Sequence, residues 1–146
     1  MKKISNEIRK QIIDSYIDYA KDKLSESQIE TAVKSMRESD NSIEAHLAVG
    51  SLIFYQRFVI SEKEPPEKTF TGNAGGIATV VPGSYYGSLH ADDFDKLHKN
   101  TVSFSFEAVT AAVFVQFYDK SSNCLGHFEG AGIGFTGVGG GSGSWE

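Results

Sequence analysis

The sequence predicts an α+β chain: a helical N-terminal segment, then a small closed antiparallel β-barrel. Three observations lead there. Apolar residues recur every three or four positions over residues 1–40 and then switch to period two from Ile43 onward. The period-two segments are short and separated by turn chemistry. Nine of the 15 glycines lie between Gly126 and Trp145, whereas residues 1–49 contain none. Those late glycines are interspersed with Ile133, Phe135, Val138 and Trp145, so the tail reads as strands that bend sharply or let another backbone approach, as barrel closure demands.

Ile4, Ile8, Ile12, Ile13, Tyr16, Ile17, Ala20 and Leu24 mark one amphipathic helix from about Ser5 to Leu24, with Glu7, Arg9, Lys10, Asp14, Asp18, Lys21 and Asp22 between them. Ser25-Glu26-Ser27-Gln28 fits a capping box. Ile29, Val33 and Met36 mark a second, weaker helix to about Glu38, and Asp40-Asn41-Ser42 ends the helical region, residues 1–42. In the barrel region, 43–146, strand signals run through 52–59, 101–106 and 111–118, each read as half-buried. KEPPEK at 63–68 is a solvated connection, Pro82-Gly83 a tight turn, and 119–123 a hairpin turn. Phe94 and Leu97 give one short helix within 90–98. About eight strands with short connections favour a closed barrel or a sandwich over an open sheet.

Composition narrows the function classes. A chain of 146 residues with 40% hydrophobic and 12% aromatic content forms one globular unit with a real core. The net charge of −5, without a basic run, argues against nucleic acid as a partner. Cys124 is the only cysteine, so no internal disulfide forms. The lysine-rich start MKKISNEIRK is not followed by an apolar h-region, and no apolar run approaches the ~20 residues of a membrane helix. The expectation is a chain without a classical signal peptide.

Five segments then carry a resemblance. FYQRFVI (54–60), FTGNAGG (70–76), LHKNTVSFSF (97–106), FVQFYDKSSNCLGHFEGAG (114–132) and TGVGGGSGSW (136–145) resemble, in one order over about 95 residues, the virulence-associated protein (Vap) family of actinobacterial intracellular pathogens. The resemblance implies a closed eight-stranded antiparallel barrel with Greek-key connections, filled by side chains. It also implies secretion, no established enzymatic activity, and an association with survival in host phagocytes, some members acting on endolysosomal membranes. Family members carry a secretion signal and a largely disordered N-terminal part. This chain departs on both counts, so the export route is left open and the fold transfers better than the function.

The candidate sites are weighed against plainer readings. Gly132-Ile133-Gly134-Phe135-Thr136-Gly137 matches G-x-G-x-x-G, but only nine residues follow and no helix signal is among them, so a barrel strand is expected and no cofactor. Cys124 and His127, three apart on a strand, are expected on opposite faces, with Cys124 buried and inert. His90, Asp92, Asp93, Asp95 and His98 are the one cluster of potential metal ligands in the sequence. Their spacing fits no known loop, so a solvated helix face and no metal are expected. Arg57 is expected at an edge or rim beside a carboxylate such as Glu107 or Glu129.

The apolar helix face remains. Ile8, Ile12, Ile13, Tyr16 and Ile17 are the candidate membrane or partner contact, with packing on the barrel as the competing reading. The expectation is a non-enzymatic, secreted or delivered interaction factor, monomeric, acting on host or competitor membranes or protein partners. Two alternatives stand beside it. One is a small-ligand or glycan module using Tyr85, Tyr86 and Trp145; the other is an enzyme using Cys124 or the His90–His98 cluster.

Overall fold

The computed structural model describes residues 4–38, 41–51, 55–75, 77–78, 83–134 and 136–146. Helix α1 runs over Asn6–Ala20 and α2 over Glu26–Glu38. Ser5 caps α1, its hydroxyl accepting from the Ile8 N–H at 3.2 Å. Ser25 and Gln28 form the expected reciprocal box: Ser25 Oγ accepts from Gln28 N at 3.2 Å, and Gln28 Oε1 accepts from Ser25 N at 3.0 Å.

Among the described residues nine strands follow: β1 Ser42–Ser51, β2 Gln56–Glu62, β3 Thr69–Ala74, β4 Ile77–Ala78, β5 Gly83–His90, β6 Ser103–Val109, β7 Ala112–Tyr118, β8 Cys124–Ile133 and β9 Gly137–Trp145. Helix α3, Phe94–Asn100, separates β5 from β6. All pairings are antiparallel. Eight strands close in the order β1-β2-β3-β9-β6-β7-β8-β5, with the two-residue β4 added beside β9. Strands β1–β3 form a meander with β5 returning beside β1, and β6–β8 form another with β9 returning beside β6. These are two Greek keys joined into a ring.

The barrel interior is solid with side chains. Phe58, Phe70, Phe104, Phe106, Phe117 and Phe128 converge there with Trp145, and Phe70 and Phe117 each lie 5.4 Å from the indole. Helix α3 plugs one end, placing Leu97 in the core and His98 against both Trp145 and Glu62.

Three readings need correction. The strand expected over 52–59 begins only at Gln56, with Tyr55 before it outside any strand; residues 52–54 lie outside the described residues. Most of the Pro82-Gly83 turn also lies outside them. β7 is buried at every position rather than half-buried. Its second face is covered by the helical layer: Ile12, Ile13, Tyr16, Ala32, Val33 and Met36 form a second core with Ala112, Phe114 and Tyr118. The run AAVFVQFY is apolar on both faces apart from Gln116, which is what a strand between two layers requires. Finally, the strand expected over 101–106 starts two residues late, at Ser103, and Val102 before it is 47% exposed.

Candidate functional site

The polar chemistry of this chain concentrates in the seam between the helical layer and the outer face of β5–β8. Two clusters occupy it.

The first is built on β8 and β5. Period two sends His127 and Glu129 to the same, outer face of β8. The ladder places His90 of β5 directly opposite His127, and the two imidazoles stack with centroids 4.7 Å apart. From α1, Arg9 reaches across with two bonds to Glu129, at 2.9 and 2.7 Å, and donates to the Met36 carbonyl at 2.7 Å. Its guanidinium also sits 5.3 Å from the Phe114 ring centre. His127 is fully buried and bridges the layers, with Nδ1 2.9 Å from Ser35 Oγ and Nε2 2.8 Å from Glu129 Oε1. Burial pushes the His127 pKa down despite its carboxylate neighbour, so the ring is neutral. The bonding pattern assigns an Nε2–H donating to Glu129 and an Nδ1 accepting from Ser35. Burial works against the Glu129 carboxylate, but the hydrogen bonds from His127 and Arg9 prevail and hold its pKa down to about 2.

The second cluster lies deeper under α1. Glu107 and Gln116 face outward from β6 and β7, yet both are buried. Gln116 Nε2 donates to Glu107 Oε1 at 2.7 Å and lies 3.3 Å from Met36 Sδ. Ser105 Oγ donates to Gln116 Oε1 at 2.6 Å and lies 2.7 Å from the Tyr118 hydroxyl, which in turn meets the Tyr16 hydroxyl at 2.8 Å. Glu107 Oε2 has no hydrogen-bond partner among the described residues. Burial pushes the Glu107 pKa well up, against the lowering effect of Gln116, which favours the neutral acid.

The residues singled out in the sequence fall as follows. On the apolar face of α1, Ile12, Ile13 and Tyr16 are buried against β7, Ile8 is half-buried, and Ile17 is 38% exposed. Cys124 and His127 do not face opposite sides. A bulge where Phe117 pairs with Gly126 and Tyr118 with Cys124 adds a residue and brings both onto the outer face. They still form no pair. Cys124 Sγ lies 3.4 Å from the Gly126 carbonyl, and burial pushes the thiol up to about 12, far from a thiolate nucleophile.

The His90–His98 group is dispersed. His90 joins His127, and His98 turns into the barrel end. Asp93 caps α3, and Asp95 pairs with Lys99 on the surface. Asp92 borders a cleft of about 270 Å³ between α2 and β8, shared with Lys34, Ser35 and Cys124.

Arg57 is exposed on β2, and its two expected partners are engaged elsewhere, Glu129 with Arg9 and Glu107 with Gln116. Tyr85 and Trp145 point into the barrel, while the neighbouring Tyr86 points out and is 63% exposed, so the three aromatics form no common mouth. The G-x-G-x-x-G segment joins β8 directly to β9, with no helix after it. His127 and Glu129 were missed as a pair with His90 because their partner is supplied by the β5–β8 register, 37 positions away in sequence.

Known relatives bear directly on this architecture. The family model for the Rhodococcus equi virulence-associated protein matches residues 2–146, taking in the helical segment that the sequence reading set apart. The structure of the virulence-associated protein VapD from the intracellular pathogen Rhodococcus equi aligns with a TM-score of 0.69 at 32% identity, covering 74% of this chain and 99% of that one. VapB from the same organism aligns with a TM-score of 0.66 at 36% identity, covering 73% and 96%. None of the curated proteins matches. With a match along nearly its whole length and the same closed eight-stranded barrel, the chain belongs to the Rhodococcus equi virulence-associated protein family.

Proposed function

We propose that the chain acts without catalysis, as a secreted or delivered interaction factor that meets host membranes or host proteins with its outer surface. The filled barrel is the observation that carries this reading. Its interior is occupied by aromatic side chains packed edge-on and tilted against one another, so contact with a partner falls to the outside. The chemistry-bearing groups add support, because Cys124 is held as a thiol and His127 is tied into structural hydrogen bonds. Family membership supplies the virulence context.

The apolar face of α1 serves the fold in this conformation. Contact therefore begins elsewhere, at residues that need no rearrangement. Tyr86 and Ile133 are diagonal neighbours on the outer faces of β5 and β8, 63% and 87% exposed, and the Tyr86 ring packs on His46 at 4.5 Å. Such large exposed apolar groups side by side are suited to a bilayer interface or a protein surface. No helix among the described residues is long and apolar enough to cross a membrane.

The test is dye leakage and co-sedimentation with anionic liposomes at pH 7.4 and pH 5, comparing the full chain with Tyr86→Ser/Ile133→Ser and with Cys124→Ala. The expected result is association by the full chain, weakened by the double substitution and untouched by Cys124→Ala. Loss of the effect in Cys124→Ala would move the assignment to chemistry at the thiol. Vesicles indifferent to every variant would leave protein partners as the only targets.

A further inference from the structure

We propose that His90, His127 and Glu129 form a three-ligand site for a divalent transition metal, and that the Arg9 guanidinium from α1 closes it. The backbone sets up the ligands. Glu129 follows His127 by two on one strand face, and His90 stands directly across the ladder. Three side chains therefore converge from two adjacent strands. One ligand atom from each of His90, His127 and Glu129 lies within 4.8 Å of the others, with His127 Nε2 to Glu129 Oε1 at 2.8 Å and His90 Nε2 to the same oxygen at 3.6 Å. Tetrahedral zinc with bonds of ~2.0–2.1 Å holds neighbouring donors roughly 3.3 Å apart, so these two separations bracket the requirement. The imidazoles lie 7° from parallel, and each needs only to tilt toward the other to aim its Nε2 lone pair at a shared ion.

The donor set and its surroundings suit zinc. Two imidazoles and one carboxylate, with a fourth position left for water, are a recurrent zinc environment. Ser35 Oγ on His127 Nδ1 is the outer partner that fixes ring orientation in such sites. On metal binding His127 changes tautomer, its proton leaving Nε2 for Nδ1; Nδ1–H then donates to Ser35 Oγ, whose own hydrogen turns away, and Nε2 is freed for the ion without net proton release. His90 Nε2 exchanges its contact with Ser88 Oγ, now 2.7 Å, for the metal.

Arg9 stands where the open side would be. Its two bonds neutralise Glu129 as a metal would, and a dication cannot share that carboxylate with a guanidinium at 2.7 Å without strong repulsion. Arg9 and metal therefore exclude one another. Because Arg9 also ties α1 to the Met36 carbonyl of α2, metal entry loosens the hold of the helical layer at this point. This goes beyond a passive outer surface by giving the seam a ligand of its own.

The experiment is a Co²⁺ titration of the full chain, read by the visible absorption of four-coordinate cobalt and reversed by Zn²⁺. It is run on wild type, Arg9→Met, and Arg9→Met with His90→Gln, with folding checked by circular dichroism. Arg9→Met should bind one equivalent at least tenfold more tightly than wild type, and His90→Gln should weaken it roughly tenfold or more. A folded Arg9→Met without the cobalt band overturns the site. Equal binding with and without His90 overturns the ligand assignment, and equal affinity in wild type and Arg9→Met overturns the role of Arg9. Should Arg9→Met not fold, wild type at raised cobalt must give the same band and lose it with His90→Gln; no band there overturns the site equally.

Discussion

Glu107 is the residue on which this fold makes its least expected commitment: a carboxyl group buried between the barrel and α1, with one oxygen bonded to Gln116 and the other without a partner among the described residues. Its pKa is raised by burial, so the folded chain binds a proton that the unfolded chain releases above about pH 4.5. The contribution of Glu107 is thus fully present below that pH and is lost as pH rises toward the folded pKa. Glu107→Gln keeps the bond to Gln116 and removes the proton requirement. It should stabilise the protein at pH 8 by on the order of 1–3 kcal/mol, with the gain shrinking to nothing near pH 4.5. Urea unfolding of both proteins across that range checks it, and a gain independent of pH would mean that Glu107 is not held as the acid. Gly87 is a second exacting position. A methyl group there would meet the Glu129 carbonyl oxygen at 1.9 Å and Gly130 Cα at 2.6 Å, both backbone atoms of β8 that cannot turn aside. Gly87→Ala should cost roughly 2–3 kcal/mol or more in the same assay. The sequence announces the glycine but not the strand that presses on it.

Among the elements, β7 has the most work to do, since it is a wall of both cores. Val113, Val115 and Phe117 fill the barrel, while Ala112, Phe114 and Tyr118 carry the helices. Two substitutions of the same kind on this strand should therefore have different signatures. Each of Phe114→Ala and Phe117→Ala should cost about 3–5 kcal/mol as a large-to-small change at a fully buried site. Phe114→Ala should speed amide exchange chiefly in α1 and α2, and Phe117→Ala throughout the strands, because hydrogen exchange follows the unit that opens. Uniform acceleration in both would show that layer and barrel open as one. The helices themselves were legible in sequence, since Ser5, Ser25 and Gln28 cap locally and Ile12, Ile13 and Tyr16 keep helical spacing. The strands beneath were legible as strands, yet their burial was not, because β7 owes its second buried face to residues some 80–100 positions earlier. The candidate site was less legible still. His90 meets His127 through the β5–β8 register, Arg9 meets Glu129 over a separation of 120, and a bulge reverses the facing of Cys124; none of the three leaves a local trace.

For the molecule as a whole, the question is whether the helical layer completes the barrel or merely covers it. The ladder closes through β3–β9 and β5–β8 without any helical residue, and α3 plugs its end from within the barrel region. This closure argues for a barrel that forms unaided. The layer, however, removes Ala112, Phe114 and Tyr118 from water and supplies the burial that keeps Glu107 protonated. Trp145 is the one tryptophan, 7% exposed and enclosed by Phe70, Phe117 and His98, so its fluorescence reports the barrel while far-ultraviolet circular dichroism reports the helices. A chain beginning at Ser42 should keep a blue-shifted Trp145 emission, lose its helical signal, melt at a lower temperature and bind a hydrophobic dye through the bared face of β7. Within that shortened chain Glu107 is hydrated, so Glu107→Gln should no longer stabilise it at pH 8. A red-shifted Trp145 would show that the helices hold the ring closed. An undiminished effect of Glu107→Gln would place the burial of that carboxyl in the barrel itself, and the seam would then be a consequence of the fold rather than a layer laid over it.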